Sequence, residues 1–127
     1  MQAMIVDDSR AMRSMLRRIL IENGFEVVAE AENGREALAA LERVGVLDLA
    51  LLDWNMPVMN GYELLCELRK NPKFSSMRVM LVTTETEASQ ILRALDAGAD
   101  EYLIKPFAKE ALREKLTVMG LLEGPQS

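Results

Sequence analysis

The 127-residue chain contains no histidine and a single cysteine, Cys66. Without histidine it lacks the usual general base near neutral pH and the commonest metal ligand. Any reactive site must therefore use carboxylates, hydroxyls and amines, and a hard, oxygen-loving cation is its natural cofactor. One thiol cannot close an internal disulfide, and no CxxC or Cys/His set is present for zinc, which points to a reducing compartment. Basic residues are also short, with 15 Lys and Arg against 20 Asp and Glu and a net charge of −5. Phosphate neutralisation needs clustered cations, so direct nucleic-acid binding is disfavoured. No apolar run approaches the roughly 20 residues that span a bilayer, and Met1-Gln2-Ala3 lacks the basic start of a secretory signal. The expectation is a cytoplasmic protein without membrane insertion.

Half of the residues are hydrophobic and 28% are charged, the composition of a globular chain with ample core. The length suits one domain, well below the roughly 250 residues at which single cores divide. Strand-length apolar runs recur at Ala3 to Val6, Phe25 to Ala29, Leu47 to Leu52, Val79 to Val82 and Tyr102 to Ile104. Between them lie helical spacings: Met12, Leu16 and Leu20; Ala37, Leu38 and Leu41; Leu64, Leu65 and Leu68; Ile91, Leu92 and Leu95; and finally Leu112, Leu116 and Met119. The periodicity predicts helices over Glu87 to Ala97 and Ala108 to Met119 for the last two. Asn23-Gly24, Asn33-Gly34, Gly45, Asn60-Gly61, Asn71-Pro72 and Gly98 punctuate the alternation, and Ser9 or Asp8 can cap the first helix. Alternating strands and helices predict an α/β fold, a doubly wound five-stranded parallel sheet. A domain over 1–119 follows, with 120–127, which carries Gly124, Pro125 and Ser127, as a tail or linker stub. Nine methionines could suggest a plastic partner surface, but Met4, Met80 and Met119 fit core positions. Cys66 reads as an incidental helix residue.

In sheets of this kind, ligands bind beyond the carboxyl ends of the strands, where the strand order reverses. The first strand ends in Asp7-Asp8, the third in Asp53, the fourth in Thr83-Thr84 and the fifth in Lys105-Pro106. Each alone has a plain structural explanation: a cap for the aspartates, a β-branched strand residue for Thr83, a solvated strand end for Lys105. Their conjunction at one edge is what carries information. Two like charges about 5 Å apart repel by roughly 3 kcal/mol at an effective dielectric near 20, so three clustered aspartates call for a cation. Magnesium fits best, because a few carboxylates, a carbonyl and waters suit its octahedron and no calcium-loop pattern exists; manganese would substitute. Zinc and iron lack their preferred ligands. A carboxylate between a divalent cation and an ammonium is equipped for phosphoryl transfer, whose transition state spreads charge over oxygens that need cationic neighbours. Asp53, central and within reach of both cations, is the candidate nucleophile. With no histidine in the chain, a phosphohistidine donor would be another domain or protein.

These residues resemble the response-regulator receiver domains of two-component phosphorelay signalling, from Met4 to about Met119. The resemblance rests on Val6-Asp7-Asp8-Ser9, on Asp53-Trp54-Asn55-Met56-Pro57 with Asn60-Gly61, on Thr83, on Tyr102 and on Lys105-Pro106-Phe107. It implies a flavodoxin-like (βα)5 fold with strand order 2-1-3-4-5, and an acyl phosphate formed on Asp53 from a sensor histidine kinase. It further implies that Asp8 and Asp53 bind Mg2+ directly, Asp7 through water and Asn55 through its backbone carbonyl. Lys105 and Thr83 would contact the phosphoryl oxygens, with Pro106 following a cis bond. Thr83 and Tyr102 would form a switch in which the ring turns inward when Thr83 is drawn to the phosphoryl group. Within the family the chain is most similar to single-domain chemotaxis regulators, through Asp8-Ser9, Met12-Arg13, Trp54-Asn55-Met56-Pro57 and Glu85. Asn55 and Glu85 would then influence acyl-phosphate hydrolysis. The implied output is a downstream protein, a flagellar motor switch or a C-terminal effector domain, docking around Tyr102. Such a chain is a switch that catalyses its own phosphorylation and dephosphorylation, not a metabolic enzyme.

Three other readings are open to test. An aspartyl phosphatase or mutase commonly has a second acid two places after the nucleophile, where this chain has Asn55, and no cap domain is present. A flavin-binding domain would need a phosphate-binding hydroxyl or glycine cluster where Asp7-Asp8 stands. A receiver-shaped module working without phosphorylation would not need the full set of site residues.

Overall fold

The computed structural model describes residues 1–123. Five strands, β1 (Gln2–Val6), β2 (Glu26–Ala31), β3 (Leu49–Leu52), β4 (Arg78–Thr83) and β5 (Glu101–Ile104), alternate with five helices. These are α1 (Arg10–Glu22), α2 (Gly34–Val44), α3 (Gly61–Lys70), α4 (Ala88–Asp96) and α5 (Lys109–Val118). All neighbouring strands pair parallel in the order β2-β1-β3-β4-β5, which is the order expected.

The sheet is buried on both faces because strand side chains alternate in direction. Met4, Val6, Ala50, Leu52, Val79 and Leu81 face one way, into a core closed by Ala37 and Leu41 of α2 and Leu64, Leu65 and Leu68 of α3. Ala3, Ile5, Leu49, Leu51, Met80 and Val82 face the other way, onto Leu16 and Leu20 of α1 and Leu112 and Leu116 of α5. Each fully buried leucine contributes about 2 kcal/mol relative to exposure. Met4, Met80 and Met119 are core residues, as their positions suggested.

Local chemistry sets the helix starts. Ser9, rather than Asp8, caps α1, its Oγ accepting from the Met12 N–H. Asn33 caps α2, and Asn60 with Glu63 forms a reciprocal capping box at α3. Gly61 is required by close approach: a Cβ there would lie 2.0 Å from the Asp53 carbonyl oxygen. A short 3₁₀ turn at Pro72–Phe74 follows α3, where only an Asn-Pro turn was expected.

Two expectations shift. In α4 the apolar spacing Ile91, Leu92, Leu95 marks the buried face only in part: Ala94 is fully buried and Ile91 packs against the core, whereas Leu92 is 61% exposed. The two leucines turn outward. Past α5, Gly120 takes φ +80, the Leu121 N–H donates to the Leu116 carbonyl (2.9 Å), and Leu121 and Leu122 pack against the α1–α5 core. Gly124, Pro125 and Ser127 of the expected tail lie outside the described residues. Among the described residues, no helix is long and apolar enough to cross a membrane.

Candidate functional site

The strand order places the ends of β1 and β3 side by side, with β4 and β5 following. Asp53 directly follows β3, and its N–H donates to the Val6 carbonyl (2.9 Å), so the acceptor candidate is tied to the acidic pair through backbone. Carboxylate oxygens of Asp7, Asp8 and Asp53 all lie within 4.8 Å of one another. Asp7 and Asp53 are buried and Asp8 is exposed, so the cluster opens to solvent on the Asp8 side. The donor set, all oxygen and all anionic, fits a hard divalent ion.

Lys105 reaches this cluster from the end of β5. Its Nζ donates to Asp7 Oδ2 at 2.7 Å and stands 3.5 Å from Asp53 Oδ2. The Lys105-Pro106 peptide is cis. Burial pushes the Asp53 carboxyl above its ordinary value of 3.8; the Thr83 hydroxyl and the Lys105 ammonium pull it back, and Asp7 opposes them. Asp53 is thus a largely buried carboxylate that holds a proton more readily than a solvated one.

Asp7, Asp8, Asp53, Thr83 and Lys105 meet at this edge, whereas Tyr102 lies within β5, opposite Leu81. Asn55 is exposed two residues beyond Asp53. Thr83 is fully buried at the end of β4, and Tyr102 is buried on the edge strand β5. The wiring between these two residues was not legible in the sequence. The Glu85 N–H donates to Thr83 Oγ1 (3.3 Å), and the Tyr102 hydroxyl donates to the Glu85 carbonyl (2.9 Å), so the backbone of one residue joins hydroxyl to phenol. The ring already lies inward here, where the resemblance implied that it turns inward on activation. Burial, with Glu85 and Asp53 nearby, pushes the phenol up to about 12.

Sequence reasoning also missed the surroundings of Trp54. Its ring stacks on Tyr62 of α3 with centroids 5.2 Å apart, and the Arg93 guanidinium of α4 lies 4.1 Å from the Tyr62 ring centre. No spacing rule pairs an α3 tyrosine with an α4 arginine; only the packing of the two helices does. Val58 was missed as well. It takes φ +69 and is 77% exposed, and the Met59 N–H donates to the Pro57 carbonyl across it (2.7 Å), making a γ-turn on a β-branched residue.

The family profile of the response regulator receiver domain matches residues 3–117. The chain belongs to this family. Chemotaxis protein CheY1 of Helicobacter pylori is 38% identical over 119 residues, 94% of this chain and 96% of that protein. The Chemotaxis protein CheY homolog of Campylobacter jejuni is 40% identical over 125 residues, 98% of this chain and 96% of that protein. Among solved structures, the chemotaxis protein CheY4 of Vibrio cholerae superposes with a TM-score of 0.84 at 34% identity, covering 93% of this chain and 97% of that one. This receiver domain is therefore a two-component signalling module of the chemotaxis-regulator type.

Proposed function

We propose that this receiver domain takes a phosphoryl group from a histidine kinase onto Asp53 and, through Thr83 and Tyr102, changes a partner-binding surface in a chemotaxis pathway. The observation that carries the reading is the convergence of three carboxylates within 4.8 Å with an ammonium 3.5 Å from the central one. A carboxylate oxygen of Asp53 would attack phosphorus, forming an acyl phosphate as the donor's phosphorus–nitrogen bond breaks. Lys105 would neutralise charge on the transferred oxygens, and Thr83 would donate to one of them. Asp8, Asp53 and the Asn55 carbonyl would hold Mg2+, with Asp7 through water, and Mn2+ would substitute. When bound, the ion supplies the cationic charge that the oxygens develop in transfer. Asn55 and Glu85, flanking the acceptor, would set how fast water reaches the acyl phosphate.

The output surface is supported by the exposed Leu92 and Leu95 on α4, next to the edge strand carrying Tyr102. A downstream protein, such as a flagellar motor switch component or an effector domain, would dock there, and cytoplasmic placement suits such a pathway. Linkage requires that a partner favouring the phosphorylated surface also stabilise the phosphoryl group.

The test is chemical labelling. With Mg2+ present, acetyl phosphate should add one labile phosphoryl group by mass spectrometry, lost in Asp53→Asn and strongly reduced in Lys105→Ala. Labelling that survives Asp53→Asn would show that another residue is the acceptor. Turnover of a small phosphorylated metabolite by the protein would favour the phosphatase alternative.

A further inference from the structure

Arg13 of α1 is more deeply engaged than a surface arginine. Its side chain is only 12% exposed, and all its nitrogens point to oxygen. Nη1 donates to the backbone carbonyl of Asp7 at 2.7 Å, Nε lies 3.4 Å from Glu30 Oε1 and Nη2 3.8 Å from Glu32 Oε1. Helical side chains lean toward the helix N-terminus, which lets this residue reach back over the cap to a carbonyl six residues earlier.

The carbonyl it holds belongs to the peptide between Asp7 and Asp8. The rest of Asp7 is held as well: its N–H donates to Ala31, Oδ1 accepts from the Ser9 N–H (2.8 Å), and Oδ2 accepts from Lys105. Among the described residues, Asp8 has no comparable tether in its side chain, and it is exposed, so its direction depends on the peptide that Arg13 grips. Glu30 and Glu32 offset the guanidinium charge, and Glu30 is in turn bound by Arg17 (3.2 Å).

Resting on the magnesium reading above, we propose that Arg13 is a positioning residue: it fixes the Asp7-Asp8 peptide and thereby sets the affinity of the acidic cluster for a divalent cation. Two effects of its removal have opposite signs. Electrostatics alone predicts that deleting a cation near three carboxylates tightens Mg2+ binding. Loss of positioning predicts weaker binding, by the roughly 10- to 100-fold typical when an outer partner of a metal ligand is removed.

Mg2+ titrations of the full chain, read by Trp54 fluorescence, decide between them. For Arg13→Ala the midpoint should rise at least tenfold, while the rate of acetyl phosphate labelling at saturating Mg2+ stays near that of the parent chain. Arg13→Lys, which keeps the charge and a donor on a stem about one bond shorter, should recover part of the affinity. An unchanged or tighter midpoint in Arg13→Ala overturns the proposal, as does a lysine variant no better than alanine. If circular dichroism shows that Arg13→Ala does not fold, Arg13→Met, which keeps the buried stem, is read by the same rule. No saturable Mg2+ response in the parent chain would instead refute the magnesium reading itself.

Discussion

Replacing Asp53 with asparagine should make this protein more stable in metal-free buffer, although it abolishes the proposed function. The carboxylates of Asp7 and Asp8 lie within 4.8 Å of that of Asp53, and Lys105 Nζ is 3.5 Å away. At an effective dielectric near 20, each repulsion is about 3.5 kcal/mol and the attraction about 4.7 kcal/mol, so the repulsions exceed the attraction by about 2 kcal/mol. Solvent around the exposed Asp8 reduces this, and desolvation of the buried Asp53 charge adds to it. We expect Asp53→Asn to gain about 1–2 kcal/mol at neutral pH in the presence of a chelator. With urea slopes of roughly 1–3 kcal/mol per M, the denaturation midpoint should rise by roughly 0.5–1 M. The pH dependence gives an independent check. Because the folded Asp53 carboxyl is raised above 3.8, its favourable contribution is complete below that pH and is lost as pH rises through the folded value. The advantage of asparagine should therefore be present at neutral pH and vanish in acid. Magnesium should reverse the order, since a ligand at a hundred times its dissociation constant stabilises the parent chain by about 2.7 kcal/mol. If Asp53→Asn instead loses about 3–5 kcal/mol in chelator, as a broken buried ion pair does, attraction to Lys105 outweighs the repulsions and this balance of charges is refuted.

Other expectations follow from single contacts. Gly61→Ala drives a Cβ into the Asp53 carbonyl and should cost several kcal/mol, together with acetyl phosphate labelling at Asp53; a urea midpoint within error of the parent chain would refute the close approach. Val58→Gly relieves a positive φ on a β-branched residue and should raise stability by about 1 kcal/mol after the added flexibility of the unfolded chain is counted, whereas Val58→Ile should not. For Tyr102, raised from 10.0 to about 12, the native state keeps the phenol protonated. Its contribution is complete below pH 10.0 and is lost as pH rises through about 12, so Tyr102→Phe should flatten the alkaline limb of a stability–pH curve. Arg93→Ala removes the cation over the Tyr62 ring and should change Trp54 emission while leaving the Mg2+ midpoint near that of the parent chain.

Periodicity and punctuation were enough for the fold class, and the family resemblance supplied the strand order. Apolar runs of strand length alternating with 3.6-residue spacings leave few options besides a parallel sheet covered on both faces, and strand ends are where such sheets bind ligands. That is why Asp7, Asp8, Asp53, Thr83 and Lys105 could be chosen from sequence: each follows or ends an apolar run, and backbone pairing brings strand ends together. What sequence could not supply is any relation between residues that share no element and no period. The Arg13 grip on the Asp7 carbonyl, the Glu85 backbone linking Thr83 to Tyr102, and the stack of Trp54, Tyr62 and Arg93 depend on how α1, α3 and α4 lie against the sheet. The exposure of Leu92 and Leu95 was hidden for the same reason, because helical spacing marks an apolar face without telling which part of it the sheet covers. Local pattern is a property of chain neighbours and is written in their order. Contacts between elements are set by the packed solution as a whole, where side-chain volume and charge are balanced only in three dimensions.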